Sequence, residues 1–277
     1  MKIMLSTHLF LYHDLLEEDV LKLAADEGFS QAEIWAMKPH FPYDDPRGME
    51  DLCLLAAREG VEFHTAHLPI YEKVYPPKKP SGLLSPGSPD PEIRVRWRNE
   101  ATMAARAAAT LGAKYLTIHG DLHLPGPDPR AARVRESLLD FISEDLPQDA
   151  ILCLENAGGG PEQVLGLLDL LNDLPSQLTG LTLDLGHALL GGDVPASILA
   201  AGSRLRVVHA HDNDGHYDKH WPPGRGCMPW EAVLKALSEI NFSGPFIWEI
   251  RDPTGGADLH GLRSILEEIR KFDQVYA

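Results

Sequence analysis

Eight short apolar runs, each followed by a stretch of helical periodicity, alternate from one end of the chain to the other without a break in composition. The runs lie at residues 2–7, 31–36, 61–67, 113–119, 150–155, 178–185, 206–211 and 245–250. Strands separated by helices specify parallel pairing, because a helical crossover lets the next strand return in the same direction. Eight such units in 277 residues predict one α/β domain over residues 1–277, a (β/α)8 TIM barrel. An open doubly wound sheet would carry an early glycine-rich phosphate loop, and no GxGxxG or P-loop motif is present. Punctuation agrees: Leu16, Val20, Leu23 and Ala24 repeat with helical spacing over 14–27, and Gly28 follows as a C-cap would. A second helix at 48–59 ends at Gly60, and Pro91 opens a third that runs to 111. Further helices are predicted at 129–143, 161–171, 195–201, 230–240 and 259–272. The Pro/Gly-rich stretch 68–90 reads as a long loop, either a solvated insertion or a cover over a binding site.

Seven segments at or just beyond these strands stop on a histidine or a carboxylate. They are HTAHLP (His67), LTIHGDLH (His119), LCLENAGG (Glu155), LTLDLGHA (Asp184, His187), VVHAHDND (His209, His211), YDKHWPPG (Asp218, His220) and FIWEIRD (Glu249). About one residue in five is His, Asp or Glu, so chance places one or two at strand ends, hardly all seven. In a parallel barrel the C-terminal strand ends share one mouth, where residues distant in sequence meet.

The formal charge of −16 argues against broad adhesion to nucleic acid, which needs a basic surface. It leaves open a nucleic-acid contact made through bound cations. Cys53, Cys153 and Cys227 are widely spaced and form no CxxC, which disfavours a disulfide framework and fits a reducing cytoplasm. No apolar run is long enough to span a membrane, and the N-terminal stretch meets charge too early for a signal peptide.

Mixed carboxylates and imidazoles suit zinc or manganese, and cobalt or iron, better than magnesium. Glu155, Asp184, His209 and Glu249 can close around one such ion and leave positions for a diol or hydroxy-ketone. Bidentate binding would polarise the carbonyl and stabilise the enediolate left when a neighbouring carbon loses its proton, with a carboxylate as base. His67, His119, His187, Asp218 and His220 can hold one or two more ions. Glu155 as a bridge would then give a cluster suited to water attack on phosphate. Each residue also has a plainer role. A strand-end Asp184 or Glu249 is more often a helix cap or salt-bridge partner. His123 and His211 read as groups that orient ligands, and His8 as a hydrogen bonder at the mouth. His64 and His216 read as structural or solvated. Trp35 and Trp221 line a sugar pocket or fill core. Arg225 in PPGRG meets a substrate anion or merely makes a turn. Glu33 is an inward carboxylate or, with slight preference, a salt-bridge partner.

The motifs LENAGGG, DLGHA, HAHDNDG, DKHWPPGRG and FIWEI, taken together, resemble the xylose-isomerase-like TIM-barrel superfamily over nearly the whole chain. That group holds sugar and sugar phosphate isomerases and epimerases and the endonuclease IV type of repair enzyme. The resemblance implies a metal on Glu155, Asp184, His209 and Glu249, with Glu155 and Glu249 as proton-transfer groups. His187 looks like a residue that touches substrate beside the metal, and His209 is preferred to His211 as ligand. His211, Arg225 and Trp35 are carried as substrate contacts. The endonuclease side adds ligands matching His67, His119, Asp218 and His220. The stretch WAMKPHFPYDDPRG does not look like a DNA-probing loop, whereas GFSQAEIW looks like a sugar-isomerase second strand. The expected function is therefore a divalent-metal isomerase or epimerase of a sugar, sugar phosphate or polyol ketone. The alternative is a multi-metal phosphodiesterase or abasic-site endonuclease. The implied cofactor is one to three divalent ions, the partner a small sugar, and a homodimer is compatible with the resemblance.

Overall fold

The computed structural model describes residues 1–13, 15–74, 80–120, 129–256 and 258–276. Its strands are β1 (Lys2–Ser6), β2 (Gln31–Trp35), β3 (Glu62–His67), β4 (Tyr71–Lys73), β5 (Ser81–Leu83), β6 (Tyr115–His119), β7 (Ile151–Glu155), β8 (Thr179–Asp184), β9 (Leu205–Ala210) and β10 (Pro245–Trp248). The α-helices are α1 (Glu18–Asp26), α2 (Pro46–Glu59), α3 (Pro91–Thr110), α4 (Pro129–Glu144), α5 (Pro161–Asn172), α6 (Leu185–Leu190), α7 (Val194–Ala201), α8 (Trp230–Glu239) and α9 (Leu259–Tyr276). Eight parallel strands close into a barrel in the order β1-β10-β9-β8-β7-β6-β3-β2, the predicted (β/α)8 architecture. No described helix is long and apolar enough to cross a membrane.

Local chemistry explains the boundaries. Proline opens α2, α3 and α5, where its missing N–H costs nothing. Asp45 and Asp90 cap α2 and α3 by accepting backbone N–H groups of Arg47 and Glu92. Gly60 ends α2 at φ 68°, a left-handed conformation that a Cβ disfavours. Outward strand residues such as Ile34, Leu116, Leu152, Leu154, Leu183 and Val208 are buried against the helices and form one continuous core. Both faces of the strands are therefore covered, which is why they read as apolar runs.

The structure departs from the sequence reading in three places. The stretch 68–90 is not a structureless loop: β4 and β5 pair antiparallel, Tyr71 with Leu83 and Lys73 with Ser81, and residues 75–79 lie outside the described set. The chain does not run as strand to residue 185. Asp184 accepts the N–H of His187 at 2.6 Å and caps α6, so Leu185–Leu190 turn helical immediately. The first helix begins at Glu18, because residues 7–10 continue β1 as a 3-10 turn.

One outward pair joins the barrel to its last helix. Trp248 is fully buried, and its ring packs edge-on against Trp230 and Phe272 with centroids 5.4 and 5.5 Å apart. Its Nε1–H donates to both carboxylate oxygens of Asp273, at 3.2 and 3.3 Å. Burial pushes the Asp273 carboxyl up to about 6, the hydrogen bond from Trp248 opposing it only in part. The folded protein thus holds this proton to higher pH than the unfolded chain. The associated stability is complete below about pH 4 and is lost as pH rises through 6. Asp273→Asn keeps an acceptor for Trp248 and removes the buried charge. We expect it to raise unfolding free energy at pH 7.5 by about 1 kcal/mol, with little gain at pH 4.5, in denaturant titrations at both pH values.

Candidate metal centre at the barrel mouth

Alternation along each strand stacks the barrel interior in layers. Met4, Cys153, Val207 and Ile247 form an apolar floor. Above it the Thr117 and Thr182 hydroxyls meet at 2.8 Å, and Thr65 donates to Glu33 at 3.2 Å. Two residues on from Thr65, Thr117, Cys153, Thr182, Val207 and Ile247 stand His67, His119, Glu155, Asp184, His209 and Glu249. The period of a strand thus carries the sequence from apolar and hydroxyl groups to metal-ligand groups at one level.

Those side chains converge in contiguous groups. Ligand atoms of Glu155, Asp184, His209 and Glu249 all lie within 4.8 Å of one another, as do those of His67, His119 and Glu155. Glu155 belongs to both: its Oε2 faces His67 Nε2 at 3.0 Å and His119 Nε2 at 3.2 Å, and its Oε1 faces His209 Nδ1 at 2.8 Å. Glu249 Oε2 reaches the same Nδ1 at 3.2 Å. A third group holds His211, Asp218 and His220, and a fourth joins His8, His220 and Glu249.

Backbone contacts aim the rings. Nδ1–H donates to a carbonyl in His67 (Leu68, 2.9 Å), His187 (Asn156, 2.8 Å) and His220 (Glu249, 2.7 Å), which turns each Nε2 toward the centre. His209 is reversed: its Nε2 pairs with Glu33 at 3.0 Å and its Nδ1 faces inward. Asn156 grips Asp184, donating to its carbonyl at 2.9 Å and accepting its N–H at 2.7 Å. Asp218 and His220 sit on a loop that Asp212 organises. Asp212 accepts the N–H groups of Asn213, Gly224 and Met228, and its backbone pairs both ways with Trp221.

The electrostatics are those of a cation site. Glu33, Glu155, Asp184, Asp218 and Glu249 are gathered at the mouth, and among the described residues only histidines pair with them. Burial would raise the carboxyls of Glu155 and Glu249, but neighbouring imidazoles, His209 above all, hold both well below the usual range. Burial likewise opposes charge on His209, and the carboxylates of Glu33, Glu155 and Glu249 outweigh it. His187 is pushed up to about 10, because Asp184 and Asp218 outweigh burial. His8 goes the other way, lowered by burial and by His220. Among the described residues, buried Glu33 Oε1, His211 Nδ1 and Asp218 Oδ1 have no hydrogen-bond partner. Oxygen and imidazole donors at these separations fit divalent cations of the zinc and manganese type.

The groups border a cavity of about 520 Å³. His67, His119, Glu155, His187, Asp218, His220 and Glu249 face it from below, and Ile70, Tyr71 and Val74 of the β4–β5 segment close one side. Trp35 and His8 also line it. Arg225 does not: its guanidinium is held by Glu268 of α9 at 2.7 and 2.9 Å, away from the mouth. His211 is fully buried, stacked on His220 at 4.0 Å, and belongs to the third group rather than to the cavity lining. His187, assigned to further metal, stands next to that group with Nε2 3.7 Å from Asp218. Asp184 fills both of its readings, as cap of α6 and as member of the central group. Glu33 is an inward carboxylate whose partner is His209, not a surface cation. Asn156, Asp212 and Arg251 escaped the sequence reading. Counting two residues on from Glu249 would have found Arg251, whereas nothing local distinguishes Asp212. His123 lies outside the described residues.

Comparison with known proteins agrees with this frame. The profile of the family described as Xylose isomerase-like TIM barrel matches residues 21–274. The chain is 26% identical to the uncharacterised protein MJ1311 of Methanocaldococcus jannaschii, over 98% of this chain and 91% of that one. It is 27% identical to a probable endonuclease 4 of Mycobacterium ulcerans, over 90% and 96% of the two chains. The D-psicose 3-epimerase of Clostridium cellulolyticum H10, solved with D-tagatose, superposes with TM-score 0.74 at 18% identity, over 100% and 99% of the chains. At that identity the likeness speaks to the fold.

Two outcomes follow from the packing and the charge. Adding zinc or manganese to chelator-stripped protein should raise the melting temperature, with about 2.7 kcal/mol of stabilisation per site at ligand one hundredfold above Kd. Glu155→Gln should lose most of that gain in the same scan. Gly186 touches the His211 ring so closely that an added Cβ would lie 1.9 Å from it. Gly186→Ala should therefore cost about 1–3 kcal/mol in denaturant unfolding and lower the number of ions retained after gel filtration.

Proposed function

Since the chain belongs to the xylose isomerase-like TIM-barrel family, we propose that it is a multinuclear divalent-metal enzyme that hydrolyses a phosphate ester in a small molecule. The observation that carries this reading is Glu155, whose two oxygens face separate imidazole groups, His67 with His119 on one side and His209 on the other. One-ion proton-transfer chemistry needs only Glu155, Asp184, His209 and Glu249. The remaining His67, His119, Asp218 and His220, with His187 or His211 beside them, are surplus to it. Their retention in one cavity reverses the order in which the sequence ranks the two chemistries. Ions held by these groups would activate water and offset charge on the phosphate. Glu249 would take the proton of the attacking water, and His187, whose Nε2 lies 3.7 Å from Asp218 at the same cavity, would protonate the leaving oxygen. A formal charge of −16 and a cavity of about 520 Å³ partly walled by β4–β5 suit a small substrate better than duplex DNA.

A second reading keeps a specific observation. Glu155 and Glu249 stand on barrel strands three places apart and both bond His209 Nδ1. Such a pair is able to add and remove a proton on a hydroxy-ketone, as isomerases and epimerases require. Elemental analysis of the protein separates the readings: two or three ions per chain are expected, and one would favour proton transfer. Zinc- or manganese-loaded protein should cleave methyl p-nitrophenyl phosphate, with kcat/KM reduced at least about a thousandfold in Glu155→Gln, the loss expected when a metal-binding catalytic group goes. No cleavage, together with solvent deuterium entering a ketose, would replace hydrolysis by isomerisation. Incision of a duplex with an abasic site would restore DNA as substrate.

A further inference from the structure

Arg251 has no role in the reading above, and its position is unusual in so acidic a chain. It follows Glu249 by two residues, three beyond the end of β10, and lines the same cavity. Its backbone is fixed, the N–H donating to the His220 carbonyl at 3.0 Å. Among the described residues its guanidinium makes no ion pair and no hydrogen bond. The adjacent Asp252 is not a partner, because its carboxylate is already taken by the N–H and hydroxyl of Thr254 and the N–H of Gly256. Several other arginines are engaged, Arg98 by Asp145 and Glu144, Arg225 by Glu268, and Arg263 and Arg270 by Glu27, whereas Arg206, outside the cavity, makes no ion pair among the described residues. Arg251 stands near enough to His8 to disfavour its protonated form, after burial and His220. A guanidinium that is half-buried, held by its backbone and directed to a substrate-sized cavity presents a planar fork suited to a carboxylate or a phosphate.

We infer that Arg251 forms an anion subsite, so that the substrate carries a second anionic group, carboxylate or phosphate, beyond the group that reacts at the carboxylate–imidazole centre. This deepens the proposed function by naming the substrate class, and it rests on that reading only for which group reacts. The second anion sets specificity, since a neutral arm at the same place would leave the guanidinium without a partner.

Equilibrium binding tests the subsite without turnover. The purified, metal-loaded protein is titrated calorimetrically with ω-phosphonocarboxylates of two to four carbons and with alkylphosphonates of matching length. One member of the carboxylate series should bind at least tenfold more tightly than its alkyl counterpart. Arg251→Gln should bring that ratio close to one with alkylphosphonate affinity unchanged, and Arg251→Lys should restore part of it. Replacing the carboxylate series by bis-phosphonates distinguishes a phosphate-seeking subsite from a carboxylate-seeking one. A ratio near one in the unaltered protein, a ratio that survives Arg251→Gln, equal weakening of both series, or no binding of either would overturn the inference. Because no bond is broken in this assay, its result does not depend on turnover.

Discussion

The mouth of this barrel is organised around carboxylates that, among the described residues, pair with no lysine or arginine. Taking such groups out of water is costly unless they are paired and hydrogen-bonded. Here the pairing falls to imidazoles: His67, His119 and His209 around Glu155, His209 again on Glu33 and Glu249, His211 on Asp184, and His220 on Asp218. Much else in the structure serves that arrangement. Carbonyls of Leu68, Asn156 and Glu249 orient rings, Gly186 leaves room for His211, and Asp212 fixes the loop that brings Asp218 and His220 in.

Closure of the barrel makes the cluster affordable. The apolar floor of Met4, Cys153, Val207 and Ile247 and the hydroxyl layer above it shut off the lower interior. Polar groups are thereby confined to one end, and the helices bury the outward side chains. The same strand thus supplies stability on one face and chemistry at its tip, which separates folding from function in this architecture. The β4–β5 segment then limits what can approach, since Ile70, Tyr71 and Val74 wall the cavity on one side.

Much of this was legible beforehand. Alternating strand and helix periodicity placed each barrel strand within a few residues, because parallel strands covered on both faces need long apolar runs. The terminal His, Asp and Glu of each run pointed to a shared site, because strand ends of one barrel cannot be far apart. What escaped were features set by contacts between distant segments. Arg225 looked available for an anion until Glu268 of α9 proved to hold it. His211 read as a group that orients ligands or contacts substrate, and the structure places it fully buried and stacked on His220. The residues 68–90 carried no alternation strong enough to announce a hairpin.

By itself the sequence determined the barrel and the level at which carboxylates and imidazoles stand, since these follow from a period of two. Only the tertiary structure decided which of these groups come within reach of one another, that Glu155 faces two sets of imidazoles, and that Arg251 rather than Arg225 lines the cavity. Those outcomes depend on which strands become neighbours when the sheet closes and on which carboxylate reaches a given cation first. Both are properties of distance in space, and no local pattern encodes them.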